Sequence, residues 1–389
     1  MNARIYADHA ATTPLRPEVL EAMMPHLSEG FNASSVHQEG RRARRVLDDA
    51  RAAVARLLGA EPREIIFTSG GSESDNLAIV GIAQALRDRG RHVVTSLAEH
   101  HAVLHSTDRL HEEGWEIAAL PVDENGIVDR SDFTRAMTSG TTLASVMLAN
   151  NEIGTLAPIA ELAAVAHERG VLFHTDAVQA PAYLRVNAGQ LGIDALSISA
   201  HKFYGPKGVG ALYLRSGTPL RSQLVGGSQE HAKRAGTENV AAIAGMAKAL
   251  ALADRDRAEL SERLRKLRDR FEGNITARVA EVTINGAGAA RLPHISNLSF
   301  SGADASALVV RLDLDGVAAS AGSACAAGAA EPSHVISALY ADDRARCGGV
   351  RFSFGQSTND ADVERLSQIV AIAVGALREA TVVRPAGVM

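Results

Sequence analysis

The stretch "DALSISAHKFYGPKGVGALYLR", residues 194–215, joins two apolar runs across a lysine and a glycine-rich turn. "DALSISA" reads as one strand and "GALYLR" as the next, because short apolar runs bounded by Gly and Pro are strand signals. Gly205, Pro206, Gly208 and Gly210 fix a rigid connection between them. Lys202 stands just past the first strand, with Ser199 and His201 beside it. A lysine held there can be desolvated and form a Schiff base, or it can be a solvated side chain in a Gly-Pro turn.

Upstream, "EIIFTSG", "HVVTSL", "TLASVMLAN" and "VLFHTDAVQ" read as further strands alternating with helical patterns. One such pattern is "RRARRVLDDARAAVARLLG", where Ala43, Val46, Leu47, Ala50, Val54, Leu57 and Leu58 repeat at helical spacing and Gly59 stops the run. Strands alternating with helices predict an α/β fold, a mostly parallel sheet sandwiched by helices. After about residue 250 the texture changes to a charged helix, "RDRAELSERLRKLRDRFEG", then "HISNLSF", a helix from Asp304 to Leu312, "GVAASAG", "GVRFSF" and a last helix after Thr358. A smaller α+β domain is expected there, with residues 16–259 forming the large domain and 1–15 and 260–389 the small one.

The chain has 389 residues, 46% of them hydrophobic and 22% charged, with a net charge of −5 spread without long runs. That composition is ordinary for a globular protein and leaves no footprint for nucleic acid. The longest apolar stretch, "IVAIAVGAL", is far short of the roughly 20 residues needed to span a membrane. Two cysteines make no disulfide scaffold, and "MNARIYADHAATTP" lacks the basic and apolar regions of a signal peptide, so a cytoplasmic protein acting on a small molecule is expected.

In open α/β sheets ligands sit beyond the carboxyl ends of the strands, where the unusual polar residues of this chain fall. In "FTSGGSESDNLAIV" a strand runs through Gly70, Gly71 and Ser72 into a helix, which is either a structural turn or a phosphate cradle of free N–H groups. Asp176 ends the run "HTDAVQ" about 26 residues before Lys202. An aspartate and a lysine on neighbouring strand ends beside a phosphate cradle are what pyridoxal phosphate needs. The aspartate keeps the pyridine nitrogen protonated and the lysine holds the aldehyde.

In "AEHHAVLHSTDRLH", His101 and His105 have chelating i, i+4 spacing, but no cysteine or carboxylate cluster completes a site, so no metal is expected. His100, first after its strand, is better placed to lie over a cofactor ring as acid or base. Arg351 in "VRFSFG" is a guanidinium inside an apolar strand, suited to a substrate carboxylate or to an interdomain salt bridge. Cys325 lies in "SAGSACAAGAAEP", whose small residues allow a mobile loop, whereas Cys347 in "RARCGGVRF" reads as a passenger.

Together these segments resemble the cysteine desulfurases of the NifS/IscS type, within the class V, fold-type I pyridoxal-phosphate enzymes. The resemblance runs from Tyr6 to about Gln356 and rests on "DHAATTPLRPEVLEAM", "SGGSESDNLAI", "EHHAVL", "NNEIG", "HTDAVQ", "SAHKFYGPKGVG", "RAGTENV", "SGADASALVVRLDLDGVAASAGSAC" and "EPSHV" in that order. It implies a seven-stranded, mostly parallel sheet in the large domain. It also implies Lys202 as the Schiff-base lysine, Asp176 at the pyridine nitrogen, Gln179 at the ring phenolate and His100 stacked on the ring. Gly71, Ser72, Ser199 and His201 would hold the phosphate, with Thr237 supplied by the other subunit of a homodimer. Asn151 would touch ring or substrate, Asn32 and Arg351 would hold the substrate carboxylate, and Cys325 would be the nucleophile. His9 stands where that family commonly has Asn, and "FNASS" replaces a Gly-Asn-Pro-Ser-Ser run.

The implied reaction converts L-cysteine to L-alanine and leaves the sulfur on Cys325 as a persulfide, for an iron–sulfur scaffold or another thiolation acceptor. Alternatives within the fold are a selenocysteine lyase, a sulfinate desulfinase or an aminotransferase, and, from another functional class, a catalytically silent dimer serving as an assembly partner. Sulfide and alanine formed in equal amounts from L-cysteine would discriminate among them.

Overall fold

The computed structural model describes residues 4–28, 31–322, 333–340 and 348–382. Cys325 and Cys347 lie outside them. A short strand β1 (Ile5–Tyr6) precedes β2 (Ile65–Thr68), β3 (His92–Ser96), β4 (Glu116–Leu120), β5 (Thr141–Ser145), β6 (Leu172–Asp176), β7 (Ala195–Ser199) and β8 (Gly210–Leu214). The last seven form one sheet in the order β2-β8-β7-β6-β5-β3-β4. Only β8 runs against its neighbours β2 and β7 within it. The other pairings are parallel, as strands joined by crossover helices must be.

Six of these strands are the apolar runs legible in the sequence. The seventh, β4, is not among them: its run "EIAAL" sits at the sheet edge with four of five residues at least partly exposed, so it lacks the continuous apolar character of a central strand. The helix expected from the spacing of Ala43 to Leu58 spans Gln38–Leu58 and ends on Gly59, whose φ of 66° is the left-handed conformation a glycine adopts without Cβ strain. After β2, the helix Gly71–Ala85 buries Leu77 to Ala83 continuously and packs across β7 and β8.

The C-terminal part adds β9 (Val282–Ile284), β10 (Ile295–Phe300), β11 (Val317–Ala318), β12 (Ser320–Ala321) and β13 (Gly349–Ser353). Four of them make an antiparallel sheet in the order β12-β13-β10-β9, and β1 pairs in parallel with β11. The N-terminal segment is thus tied to the C-terminal elements. The charged stretch expected to open the small domain belongs to a longer element, one helix of 39 residues, Val240–Arg278, that runs unbroken through residues 259 and 260. Its Phe271 packs on Phe352 and Phe354 with ring centroids 4.9 and 5.5 Å away, joining that helix to β13 and the segment after it. No helix among the described residues is long and apolar enough to cross a membrane.

Candidate active site

The carboxyl ends of β2, β3, β6 and β7 surround one cavity of about 190 Å³. At the end of β2 the backbone turns at Gly70, the N-cap of the helix Gly71–Ala85, and no side chain caps that helix. Its first N–H groups are therefore offered to an anion, with the Ser72 hydroxyl in the same turn. Packing here is close: a Cβ on Gly210 would come within 2.7 Å of Gly70 Cα, so β8 presses against the cradle only because residue 210 is glycine.

Asp176 ends β6 only 4% exposed, and its Oδ1 accepts from the Val178 N–H at 2.8 Å. Burial pushes its carboxyl up to about 6, against the pull of that hydrogen bond and of Lys202. Gln179 follows in the same turn and donates from Nε2 to the Ala10 carbonyl at 2.8 Å.

At the end of β7 a single helical turn, Ala200–Lys202, aims the lysine inward. Lys202 Nζ donates to the carbonyls of Ala10 at 2.6 Å and Ala11 at 2.7 Å. The segment "DHAATTP" wraps this turn, with Thr13 bonding the His201 carbonyl through both its N–H (3.0 Å) and its hydroxyl (2.8 Å). His201 Nδ1 meets Thr12 Oγ1 at 3.1 Å, and burial together with Lys202 lowers its ring to about 4.

His100 follows β3 and is the N-cap of the helix His101–Glu112, its Nδ1 accepting from the Ala102 N–H at 3.1 Å. That bond assigns the neutral ring's hydrogen to Nε2. Burial, then the charge on Lys202, lowers the ring to about 4, so His100 is neutral near pH 7. Arg351, in the middle of β13 and 1% exposed, donates from Nη1 to the Asn151 carbonyl at 2.8 Å and from Nη2 to Asp8 Oδ1 at 2.9 Å. The buried Oδ1 of Asn151 has no hydrogen-bond partner.

The cavity is lined by Gly71, Ser72, Ser199 and His201 at one end, by Asp176, Gln179, Lys202 and His100 around its middle, and by Asn151 and Arg351. These sequence-derived site residues converge. Asn32 does not join them: it is exposed, and its Oδ1 takes the Ser34 N–H at 2.8 Å in a local turn. Thr237 is exposed and likewise does not line this cavity. Cys325 lies outside the described residues. His101 and His105 face each other with centroids 5.2 Å apart, while among the described residues the group of metal-type donors that meet within 4.8 Å is Asp75, His100 and Asp176, inside the cavity.

Sequence reasoning missed Asp75, Asp8 and the carbonyls of Ala10 and Ala11. The signal for Asp75 was available, since "SGGSESDNLAIV" places a charge at the start of a helix buried along most of its length. Backbone carbonyls leave no such trace. The donor set fits pyridoxal phosphate on its chemistry: an uncapped helix start with Ser72, Ser199 and His201 for phosphate, a buried carboxylate for a pyridinium, a lysine for an aldehyde, and an orphaned acceptor on Asn151.

The family model described as aminotransferase class V matches residues 5–366. A cysteine desulfurase IscS of Dictyoglomus turgidum is 48% identical over 379 residues, covering 97% of this chain and 96% of its own. One from Methanosarcina thermophila is 44% identical over 386 residues, covering 99% and 95%. A solved NifS-like protein superposes with a TM-score of 0.90 at 32% identity, covering 96% of this chain and all of its own. Another solved structure, SspA in complex with cysteine, superposes with a TM-score of 0.78 at 33% identity, covering 90% and 98%. With the fold, the cavity and these similarities in agreement, the chain belongs to the pyridoxal-phosphate-dependent class V aminotransferase family, among its cysteine desulfurases.

Proposed function

We propose that this chain removes sulfur from L-cysteine, releasing L-alanine, and carries the sulfur as a persulfide on Cys325. The meeting of Lys202, Asp176 and Arg351 in one cavity carries this reading, because it brings a proton-moving amine, a carboxylate and a carboxylate receptor to one small-molecule site. Pyridoxal phosphate, when bound, supplies the aldehyde that takes the substrate amine and the ring that draws electrons from its Cα.

Gly71, Ser72, Ser199 and His201 would hold the phosphate, Asp176 would serve the pyridine nitrogen, Gln179 the ring oxygen, and His100 would cover the ring. Arg351 orients the substrate carboxylate with Asn151 beside it. Lys202 takes the Cα proton at Nζ. His100, neutral near pH 7, takes up the Cys325 thiol proton. The thiolate then attacks the substrate sulfur, the C–S bond breaks, and protonation of the remaining three-carbon unit gives alanine.

Thr237 acts across a homodimer in this reading, which agrees with its exposure and its position outside the chain's own cavity. The persulfide passes to an acceptor protein such as an iron–sulfur scaffold, in the cytoplasm. The test is product analysis with two variants. Cys325→Ser should keep the visible absorbance of the bound cofactor and form neither alanine nor sulfide, whereas Lys202→Ala should lose that absorbance. Desulfuration by Cys325→Ser at the wild-type rate would remove Cys325 from the mechanism.

A further inference from the structure

Behind Asp176 the sheet carries polar groups that the reaction above does not use. His174 lies two residues earlier on β6 and therefore on the same face of the strand, 0% exposed. Its ring is held between two hydroxyls, Ser145 Oγ of β5 at 2.9 Å from Nδ1 and Ser197 Oγ of β7 at 3.0 Å from Nε2. Asp75 descends onto this layer from the helix that cradles the phosphate, 1% exposed. Its Oδ1 stands 3.6 Å from His174 Nε2, beyond hydrogen-bond range, and its side chain also meets Ser197. That Oδ1 has no hydrogen-bond partner.

Asp75 also faces Asp176, and donor atoms of the two carboxyls and of His100 lie within 4.8 Å of one another. Glu99, fully buried beyond Asp176, adds a third acidic group. The basic groups nearby divide unequally. Lys202 acts on Asp176, which also receives the Val178 N–H. His174 offers Asp75 no cation, because burial lowers its ring to about 3 and leaves it neutral. Two buried carboxylates this close cannot both hold charge cheaply, and the one without a cation or an N–H donor keeps the proton. Burial and the neighbouring Asp176 both push the Asp75 carboxyl well above its ordinary value.

We propose that Asp75 is a positioning residue held as a neutral carboxylic acid, so that the Asp75 and Asp176 pair carries a single negative charge, all of it on Asp176. One negative charge then faces one pyridinium, and the acid hydrogen of Asp75 joins the Ser197 and His174 layer on which Asp176 rests. This rests on the reading that Asp176 faces the pyridine nitrogen. Asp75 thereby links the helix that binds the phosphate to the strand that binds the opposite end of the ring.

The experiment compares Asp75→Asn, Asp75→Ala and Asp176→Asn. Infrared difference spectra of wild-type holoenzyme against Asp75→Asn should show the loss of a protonated-carboxyl carbonyl band that shifts in heavy water. Loss of ionised-carboxylate bands instead overturns the proposal. Cofactor binding to the apoprotein is the second readout, on the scale of one buried hydrogen bond: Asp75→Ala should weaken it about tenfold, and Asp75→Asn, which keeps a neutral donor, should recover it to within about threefold. Equal weakening in both means that the lost charge matters, and overturns it. Zinc binding by the apoprotein that Asp75→Asn abolishes and that releases no proton also overturns it, since a neutral Asp75 must give up its proton to ligate a metal. Asp176→Asn should shift the pH at which the visible cofactor absorbance titrates. No shift there means that the reading of Asp176 itself has failed, a result distinct from failure of the Asp75 arms.

Discussion

Arg351 is fixed by Asp8: its Nη2 donates to Asp8 Oδ1 at 2.9 Å while Nη1 is held on the Asn151 carbonyl at 2.8 Å. In the proposed reaction the guanidinium would meet the substrate carboxylate already oriented. Arg351 is an ion-paired arginine that also lines the cavity, and its partner Asp8 belongs with it to the residues assigned to the small domain, so this pair does not bridge the two domains. Lysine keeps the charge and loses the planar fork. Arg351→Lys is expected to raise KM for L-cysteine about tenfold or more, the cost of one or two charge-assisted hydrogen bonds, with the visible cofactor absorbance retained. Steady-state kinetics beside an absorption spectrum checks this, and an unchanged KM removes Arg351 from substrate binding.

What the sequence made legible follows from which signals are local. Lys202, Asp176, Ser199 and His100 were found because each sits at the end of an apolar strand run, and the parallel sheet brings such ends together. The edge strand β4 escaped because its half-exposed residues carry no continuous apolar pattern. Asp8 escaped because its partner is 343 positions away and the pairing exists only after the N-terminal segment joins β11 and β13. The carbonyls of Ala10 and Ala11 that receive Lys202 are backbone atoms of the least distinctive side chain in the chain.

Glu99 gives a stability prediction with a definite sign. It is fully buried, its Oε1 accepts from Ser96 Oγ at 2.7 Å and from the Met147 N–H at 2.9 Å, and burial raises its carboxyl to about 8. The unfolded chain ionises near the ordinary value of 4.5, so the neutral acid's contribution is full below that pH and is lost as pH rises toward 8. Glutamine copies the neutral acid and has no proton to release. Glu99→Gln should therefore gain stability relative to wild type as pH rises through this window, by about 4 kcal/mol at the top. Melting temperatures measured at several pH values decide it, and a difference independent of pH contradicts it.

The buried pair Arg51 and Glu230 anchors the segment that carries Thr237. Arg51 reaches both Glu230 carboxylate oxygens at 2.7 Å, and Glu230 Oε2 also takes the Phe67 N–H at 2.9 Å. Glu230, His231 and Ala232 have φ of 47°, 58° and 60°, conformations that cost about 1–3 kcal/mol each in residues other than glycine. The ion pair opposes that strain. Glu230→Ala leaves a buried guanidinium without its partner and should destabilise the protein by about 3–5 kcal/mol. Denaturant unfolding measures this, and a loss below about 1 kcal/mol means the pair does not anchor the segment.

His100 combines a structural and a chemical duty that one substitution separates. Its Nδ1 caps the helix His101–Glu112 while the ring lines the cavity. Asparagine is a good N-cap but neither gives nor takes a proton at neutral pH, whereas alanine does neither job. His100→Asn should keep stability within about 0.5 kcal/mol of wild type and lower kcat about a hundredfold or more, the usual weight of general acid–base catalysis. His100→Ala should lose a similar factor in kcat and about 1 kcal/mol of stability besides. Since the ring is already neutral above about pH 4, the acid limb of the wild-type rate profile should not show its ordinary titration near 6.5. A limb at 6.5 that vanishes in His100→Asn would place a charged ring in the working enzyme and remove it as the acceptor of the Cys325 proton.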